Sequence, residues 1–115
     1  MISYKKFKEL FEVLDSNRSP EIEIIFKNRK DSYVLIKFNE KITFGNSEKA
    51  IDYKDIEEVY NSKTVDNIVL NKEWNNIEDI LINMTFSVKN DKAKIKEIYG
   101  IEIWLDSSNY KHFIV

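Results

Sequence analysis

Two adjacent pairs of carboxylates are the first residues of this chain whose types could support general acid–base chemistry. They are Glu57-Glu58 and Glu78-Asp79. Such chemistry needs two carboxyl groups that converge on one substrate or water. Adjacent side chains point about 100° apart on a helix and to opposite faces on a strand, so neither pair is a ready-made dyad. We therefore interpret both pairs as surface charge and assign no catalytic role to them.

The single histidine, His112, could act as a general base with Asp106 and a nearby serine. Ser107 and Ser108 follow that aspartate, but no nucleophile-elbow pattern surrounds them. The alternative, an exposed imidazole on a terminal strand, is the commoner situation. A metal site built on one histidine and carboxylates would need a ligand spacing that the sequence does not show. The sequence therefore predicts a protein that is not an enzyme and binds no metal.

The glycines and cysteines exclude several cofactor and redox sites. Gly45 and Gly100 stand alone, whereas phosphate loops and dinucleotide-binding turns need clustered glycines. The chain has no cysteine, so disulfides and thiolate metal sites are excluded. We predict no cofactor. The turns are expected to use asparagine, which tolerates left-handed backbone and occurs where the apolar pattern breaks.

The length of 115 residues fits a single globular domain, residues 1–115. A membrane-spanning helix needs about 20 apolar residues in succession, and the sequence contains no such run. The first residues lack the apolar core and cleavage site of a signal peptide. We expect a cytoplasmic protein that does not contact a membrane.

Charge is distributed unevenly along the chain, although 18 basic and 20 acidic residues nearly cancel. Residues 46–82 carry nine acids and four lysines, a net charge of −5, and the remainder carries +3. An acidic segment that contains aromatic residues is suited to contact a protein with a basic surface, since charge steers association and aromatic side chains anchor it. The alternative is that this segment is merely solvated. The predicted partner-binding residues are Asp55, Glu57, Glu58, Tyr60, Glu73, Trp74, Glu78 and Asp79.

Two alternative modes of association remain open. The hairpin tip at residues 27–30 contains Lys27, Arg29 and Lys30, which could contact nucleic-acid phosphate, although the overall charge argues against a general nucleic-acid binder. A homodimer could form through the sheet face that carries Trp104 or through a C-terminal edge strand. Trp74 could likewise be a plug over the sheet rather than an exposed anchor.

The hydrophobic periodicity predicts the elements that must position these residues. Residues 3–14 have the three-and-four spacing of an amphipathic helix capped by Ser3. Residues 22–26 alternate, and residues 33–38 have apolar residues on both faces, as in a buried central strand. Together with residues 41–44 they are predicted to form a three-stranded meander. A short helix is expected from residue 52 or 53 to residue 60. Residues 65–70 are a strand or a loop, and residues 71–76 are a turn or one helical turn capped by Asn71.

The C-terminal third is predicted to complete the sheet. Residues 80–88 alternate as a half-buried strand. Residues 93–99 are a helix or the start of a strand, and strands are expected over residues 101–105 and 110–115. The fold class is α+β in a single domain. An N-terminal helix and one or two short helices pack on a mainly antiparallel sheet of five to seven strands.

The acidic helix "DIEEVY" at residues 55–60 is followed by Val65-Asp66-Asn67, Leu70, Glu73 and Trp74. With this order of residues, the stretch from residue 42 to residue 80 resembles small proteins of phages and mobile elements from low-GC Gram-positive bacteria. Asn67 replaces a glycine of that pattern. Some proteins of this group are anti-CRISPR inhibitors, and others are immunity proteins against a toxin. The resemblance implies a non-catalytic inhibitor or immunity-type protein.

Overall fold

The computed structural model of the protein describes residues 2–14, 16–83, 103–105 and 111–113. Over these ranges the chain folds into short helices on an antiparallel sheet, which confirms the predicted α+β class. Short 3-10 turns occur at Ser16–Arg18, Val65–Asn67 and Trp74–Asn76. The α-helices and strands are α1 (Tyr4–Val13), β1 (Glu21–Phe26), β2 (Ser32–Lys37), β3 (Ile42–Gly45), β4 (Ala50–Tyr53), α2 (Ile56–Asn61), α3 (Leu70–Glu73), β5 (Ile77–Asn83), β6 (Ile103–Leu105) and β7 (Lys111–Phe113).

The sheet has the order β4-β3-β2-β1-β5-β7-β6, and every described strand pair is antiparallel. β1, β2 and β3 form the predicted meander. The C-terminal strand β7 lies between β5 and β6, so the expectation of a C-terminal edge strand is wrong. Among the strands of the described residues, β4 and β6 are the edge strands. In the strand register, His112 is opposite Leu81 on one side and Trp104 on the other.

The core lies on one face of the sheet because apolar residues alternate along its strands. Ile22 and Ile24 of β1 are buried, and they face Leu35 and Tyr33 of β2, which are buried as well. Glu21 and Glu23 take the other face. α1 adds Phe7, Leu10 and Phe11 to the same core cluster. The predicted helix is confirmed, and the Ser3 hydroxyl caps it by accepting the backbone N–H of Lys6 at 3.2 Å.

The segment between β3 and α2 differs from its prediction, because residues 52 and 53 belong to β4 rather than to a helix. A tight hairpin places them there. The Asn46 side chain accepts the backbone N–H groups of Glu48 and Lys49, and a Cβ at Gly45 would overlap the backbone of residues 49 and 50. α2 therefore begins only at residue 56. Asparagine does make this turn, as predicted.

The structure of residues 65–76 decides between the alternatives that the sequence left open for this segment. Residues 65–70 are a loop with one 3-10 turn, in which Asp66 and Asn67 have φ of 54° and 62°. Asparagine is among the residues that tolerate this left-handed region in place of glycine. Residues 71–76 are helical turns, but the N-cap of α3 is Val69 rather than Asn71. The predicted extension of β5 to residue 88 and the alternatives for residues 93–99 lie outside the described residues.

β5 begins at residue 77, three residues earlier than predicted, because a bulge interrupts its alternation. Phe26 is paired with Ile77 and Ile25 with Asp79, so Glu78 is an extra residue between these pairs. The bulge allows Ile77 and Ile80 to be buried together, although three positions separate them. A strict two-residue period cannot predict such a start.

Candidate protein-binding site

The start of α2 carries three of the predicted carboxylates, Asp55, Glu57 and Glu58, which we call the α2 acidic surface. Asp55 is exposed, and its Oδ1 accepts the backbone N–H of Glu58 at 2.9 Å, which caps the helix. Ile56 and Val59 are buried and hold α2 against the core. The three charges therefore stand on a packed helical turn. Asp55 and Glu57 line two surface clefts, of about 320 and about 370 Å³, and Glu58 lines the second of these.

Glu57 links α2 to α1. Its Oε1 accepts the Tyr4 hydroxyl at 2.8 Å and lies 2.9 Å from Lys8 Nζ. The hydrogen bonds from Lys8 and Tyr4 lower the pKa of Glu57 below its usual value. Burial and the same hydrogen bond raise the pKa of Tyr4. Glu58, in contrast, forms no side-chain hydrogen bond or ion pair within the described part of the chain. It is the carboxylate of this surface that is most free to meet a partner.

Tyr60 and Trp74 do not extend this surface, because both belong to an aromatic cluster under α1. The Tyr60 ring stacks on Tyr4 with ring centroids 3.4 Å apart, and Trp74 packs edge-on against both rings. Trp74 is 7% exposed, and its indole N–H donates to the Ile2 carbonyl at 3.0 Å. The structure thus favours the plug over the exposed anchor for Trp74. Its predicted contact with a partner is not available in this conformation.

Glu73 is held by the residue at the centre of the predicted basic tip. Arg29 NH2 donates to Glu73 Oε1 at 3.0 Å and to Oε2 at 3.2 Å, while Nε donates to Oε1 at 3.3 Å. The two side chains are only 26% and 17% exposed. One ion pair therefore removes Glu73 from the acidic surface and Arg29 from the alternative phosphate-binding group. Lys27 and Lys30 remain exposed at the tip.

Glu78 and Asp79 occupy the bulge at the start of β5. Glu78 is exposed, and Asp79 is half-buried and accepts the backbone N–H of Ile80 at 2.9 Å through its Oδ1. They lie on a different element from the α2 acidic surface.

One exposed aromatic residue near α2 was not among the predicted site residues. Among the described residues, Phe38 is the large apolar side chain that stays exposed, at 36%. It lines the cleft of about 320 Å³ between the end of α1, the β2–β3 turn and the start of α2. We call this the Phe38 cleft. In the sequence, Phe38 looked like the last residue of a buried strand, so nothing distinguished it.

Lys37 was also not among the predicted site residues, and it lines the same cleft. α1 has no basic residue in its last turn. Lys37 supplies the charge from β2, since its Nζ donates to the carbonyl oxygens of Phe11 at 2.7 Å and Leu14 at 2.9 Å. A cation at a helix C-terminus stabilises the unpaired carbonyls and the helix dipole. The strand register explains why Lys37 reaches α1. Lys37 is opposite Ile42, which is buried on the core face, so the Lys37 side chain lies on that face as well.

A second polar cluster joins the sheet to the left-handed loop. The Tyr33 hydroxyl donates to Asp66 Oδ2 at 2.6 Å, and the Asn46 amide donates to the same oxygen at 3.2 Å. Burial and the hydrogen bond to Asp66 raise the pKa of Tyr33 to about 12. These bonds hold residues 65–67 in place. We interpret the cluster as structural.

Within the described ranges, no group of three or more His, Asp or Glu side chains is arranged to hold a metal ion. None of the helices in these ranges is both long and apolar enough to cross a membrane. Comparisons with protein-family models, with curated proteins and with solved structures found no match.

Proposed function

We propose that this protein is a non-catalytic binding module, of inhibitor or immunity type, that occupies a partner protein with a basic surface. The observation that carries the proposal is the α2 acidic surface. Its three carboxylates stand on one turn of a helix whose other side is packed into the core. A fixed group of like charges favours fast, selective encounter with an oppositely charged protein. The inhibitor or immunity role rests on the resemblance of residues 55–74.

The proposed contact is smaller than the sequence predicted. Tyr60 and Trp74 pack internally, and Glu73 is paired with Arg29. Asp55 and Glu57 have structural bonds of their own, but they remain at the surface beside Glu58. Arg29 is engaged in the same ion pair, so the alternative of phosphate binding at the hairpin tip rests on Lys27 and Lys30 alone. The described geometry therefore supports a protein partner better than nucleic acid.

The test is capture of a partner from a lysate of the source cell, with mass spectrometry. Glu58→Lys reverses the charge that has no described partner and leaves the Asp55 cap in place. Glu48→Lys is the matched control, because Glu48 is exposed in the β3–β4 turn and lines neither cleft at α2. We expect one stoichiometric protein with the wild type and with Glu48→Lys, and its loss with Glu58→Lys. Equal capture by all three proteins, or capture of nucleic acid alone, would overturn the proposal.

A further inference from the structure

The Phe38 cleft combines an aromatic wall with an apolar floor. Phe38 is exposed on one side, and the buried residues Phe11, Ile42 and Ile56 line the base. The Phe38 ring faces a cation, since Lys41 Nζ lies 5.5 Å from its centroid. An aromatic ring in this setting can hold an apolar side chain against its face or a guanidinium over it.

Equal numbers of basic and acidic residues line the cleft, but more of the basic ones are bound to other groups of the protein. Lys8 is paired with Glu57, Lys41 lies 3.1 Å from Asp52, and Lys37 is bound to the carbonyl oxygens of α1. Glu12, Glu40 and Asp55 also line the cleft, and they form no salt bridge with any described residue. Lys54 and Lys37, which keeps its charge although it is bound to carbonyl oxygens, stand against these three acids. Together these two lysines and three acids carry a net charge of −1, which favours a cationic ligand.

We propose that the Phe38 cleft is a socket for a peptide segment in which an Arg or Lys adjoins a large apolar side chain. The apolar side chain packs on Phe38 and the floor, and the cation reaches Glu12, Glu40 or Asp55. The volume of about 320 Å³ is at the lower end of the range of about 300–1,000 Å³ for ligand sites, so the socket takes one or two side chains. The inference rests on the proposed function, and it names the part of the partner that enters the cleft beside the α2 acidic surface.

The test uses the purified protein and a random-peptide library displayed on phage. Peptides are selected on the wild type and depleted on Phe38→Ala. The enriched peptides are then titrated against wild type, Phe38→Ala, Glu40→Lys and Glu48→Lys. We expect sequences in which Arg or Lys adjoins Leu, Phe or Trp. Both Phe38→Ala and Glu40→Lys should bind them about thirtyfold more weakly, which is the loss of affinity at the lower limit of an interface hot spot. Glu48→Lys should bind them as the wild type does.

Three outcomes would overturn the socket. They are the absence of any enrichment, enriched peptides without a basic residue, and equal weakening by Glu48→Lys and Glu40→Lys, which would mean general charge attraction. Failure of the socket is separable from failure of the proposed function. A captured partner protein that is lost with Glu58→Lys but kept with Phe38→Ala would sustain the binding role and exclude this cleft.

Discussion

Two parts of the acidic segment of residues 46–82, namely residues 55–60 and residues 73–74, contain the same kinds of residues and form opposite kinds of structure. At residues 55–60, carboxylates and a tyrosine lie on a helix whose charges stay at the surface. At residues 73–74, a glutamate and a tryptophan are drawn inward, with 17% exposure for the Glu73 side chain and 7% for Trp74. Acidic and aromatic composition therefore does not distinguish a binding surface from a buried junction.

The difference is decided by partners that are distant in the chain. Glu73 is paired with Arg29, 44 positions away, and Trp74 donates to the carbonyl of Ile2, 72 positions away. At the start of α2, Asp55 bonds three positions ahead, to the backbone of Glu58, and this local bond leaves the surface open. Glu73 is thus part of the fold, whereas Glu58, which forms no side-chain hydrogen bond or ion pair with a described residue, is available for binding.

The largest effect should come from Trp74, the buried member of this comparison. Trp74→Ala removes an aromatic side chain from the core and leaves the Ile2 carbonyl without its donor. Such a truncation should lower the free energy of unfolding by about 3–5 kcal/mol, measured by urea denaturation. Phe38→Ala, at an exposed aromatic, is the control, and it should cost far less. Similar losses in the two variants would contradict the assignment of Trp74 to the core.

The next effect concerns Glu73. Glu73→Gln removes a charge from a half-buried, two-pronged hydrogen-bonded pair, so we expect a loss of about 1.5–3 kcal/mol in unfolding free energy. Glu58→Gln is the matched change at the surface and should stay within about 0.5 kcal/mol. A double-mutant cycle with Arg29→Met isolates the pair energy. A coupling energy near zero would mean that the pair does not hold Glu73 inward.

A smaller effect separates the structural and binding roles of Asp55. Asp55→Ala removes the N-cap of α2 and should cost about 1 kcal/mol. Asp55→Asn retains a capping oxygen but loses the charge, so unfolding free energy should change little while affinity for a basic partner falls. Urea denaturation and titration of the captured partner measure the two quantities. Equal loss of stability in both variants would show that the negative charge, rather than the cap, stabilises the helix.

The smallest effect is expected at Glu57, as a dependence of stability on pH. The pKa of Glu57 is lowered in the folded protein by Lys8 and Tyr4. Because this pKa is lowered on folding, the ionised Glu57 side chain stabilises the folded protein fully above its usual pKa of 4.5. This stabilisation is lost as the pH falls through the pKa of Glu57 in the folded protein. Thermal unfolding across this window should therefore show a shallower acid-side decline for Glu57→Gln than for wild type. Identical pH profiles would exclude the Glu57 link between α1 and α2.

The elements with strong local periodicity could be predicted from the sequence. α1, its Ser3 cap and the meander follow from three-and-four or alternating spacing, and the structure confirms them. The start of β5 could not be predicted, because the bulge at Glu78 breaks the alternation and depends on pairing with β1. β4 was missed because "AIDY" is short and leads directly into the helix.

The candidate site could be predicted only in part, for a different reason. The surface positions of Asp55, Glu57 and Glu58 follow from polar positions on a short helix, where Asp55 is exposed and the two glutamates are half-buried. Glu73 and Arg29 pair with each other, and are therefore not available to a partner, because the fold brings α3 beside the β1–β2 hairpin. Phe38 and Lys37 required knowledge of which strand residues reach the end of α1. No local pattern carries that information.

The bond between Trp74 and the backbone of Ile2 joins residues 72 positions apart in the chain. A contact of such long separation requires the closure of a long loop before it forms. We therefore expect it to form after the shorter-range contacts that α1 makes with β2, such as the bonds from Lys37 to the carbonyl oxygens of Phe11 and Leu14. A helix that is first packed on the sheet would thus be fixed at its N-terminal side in a later step.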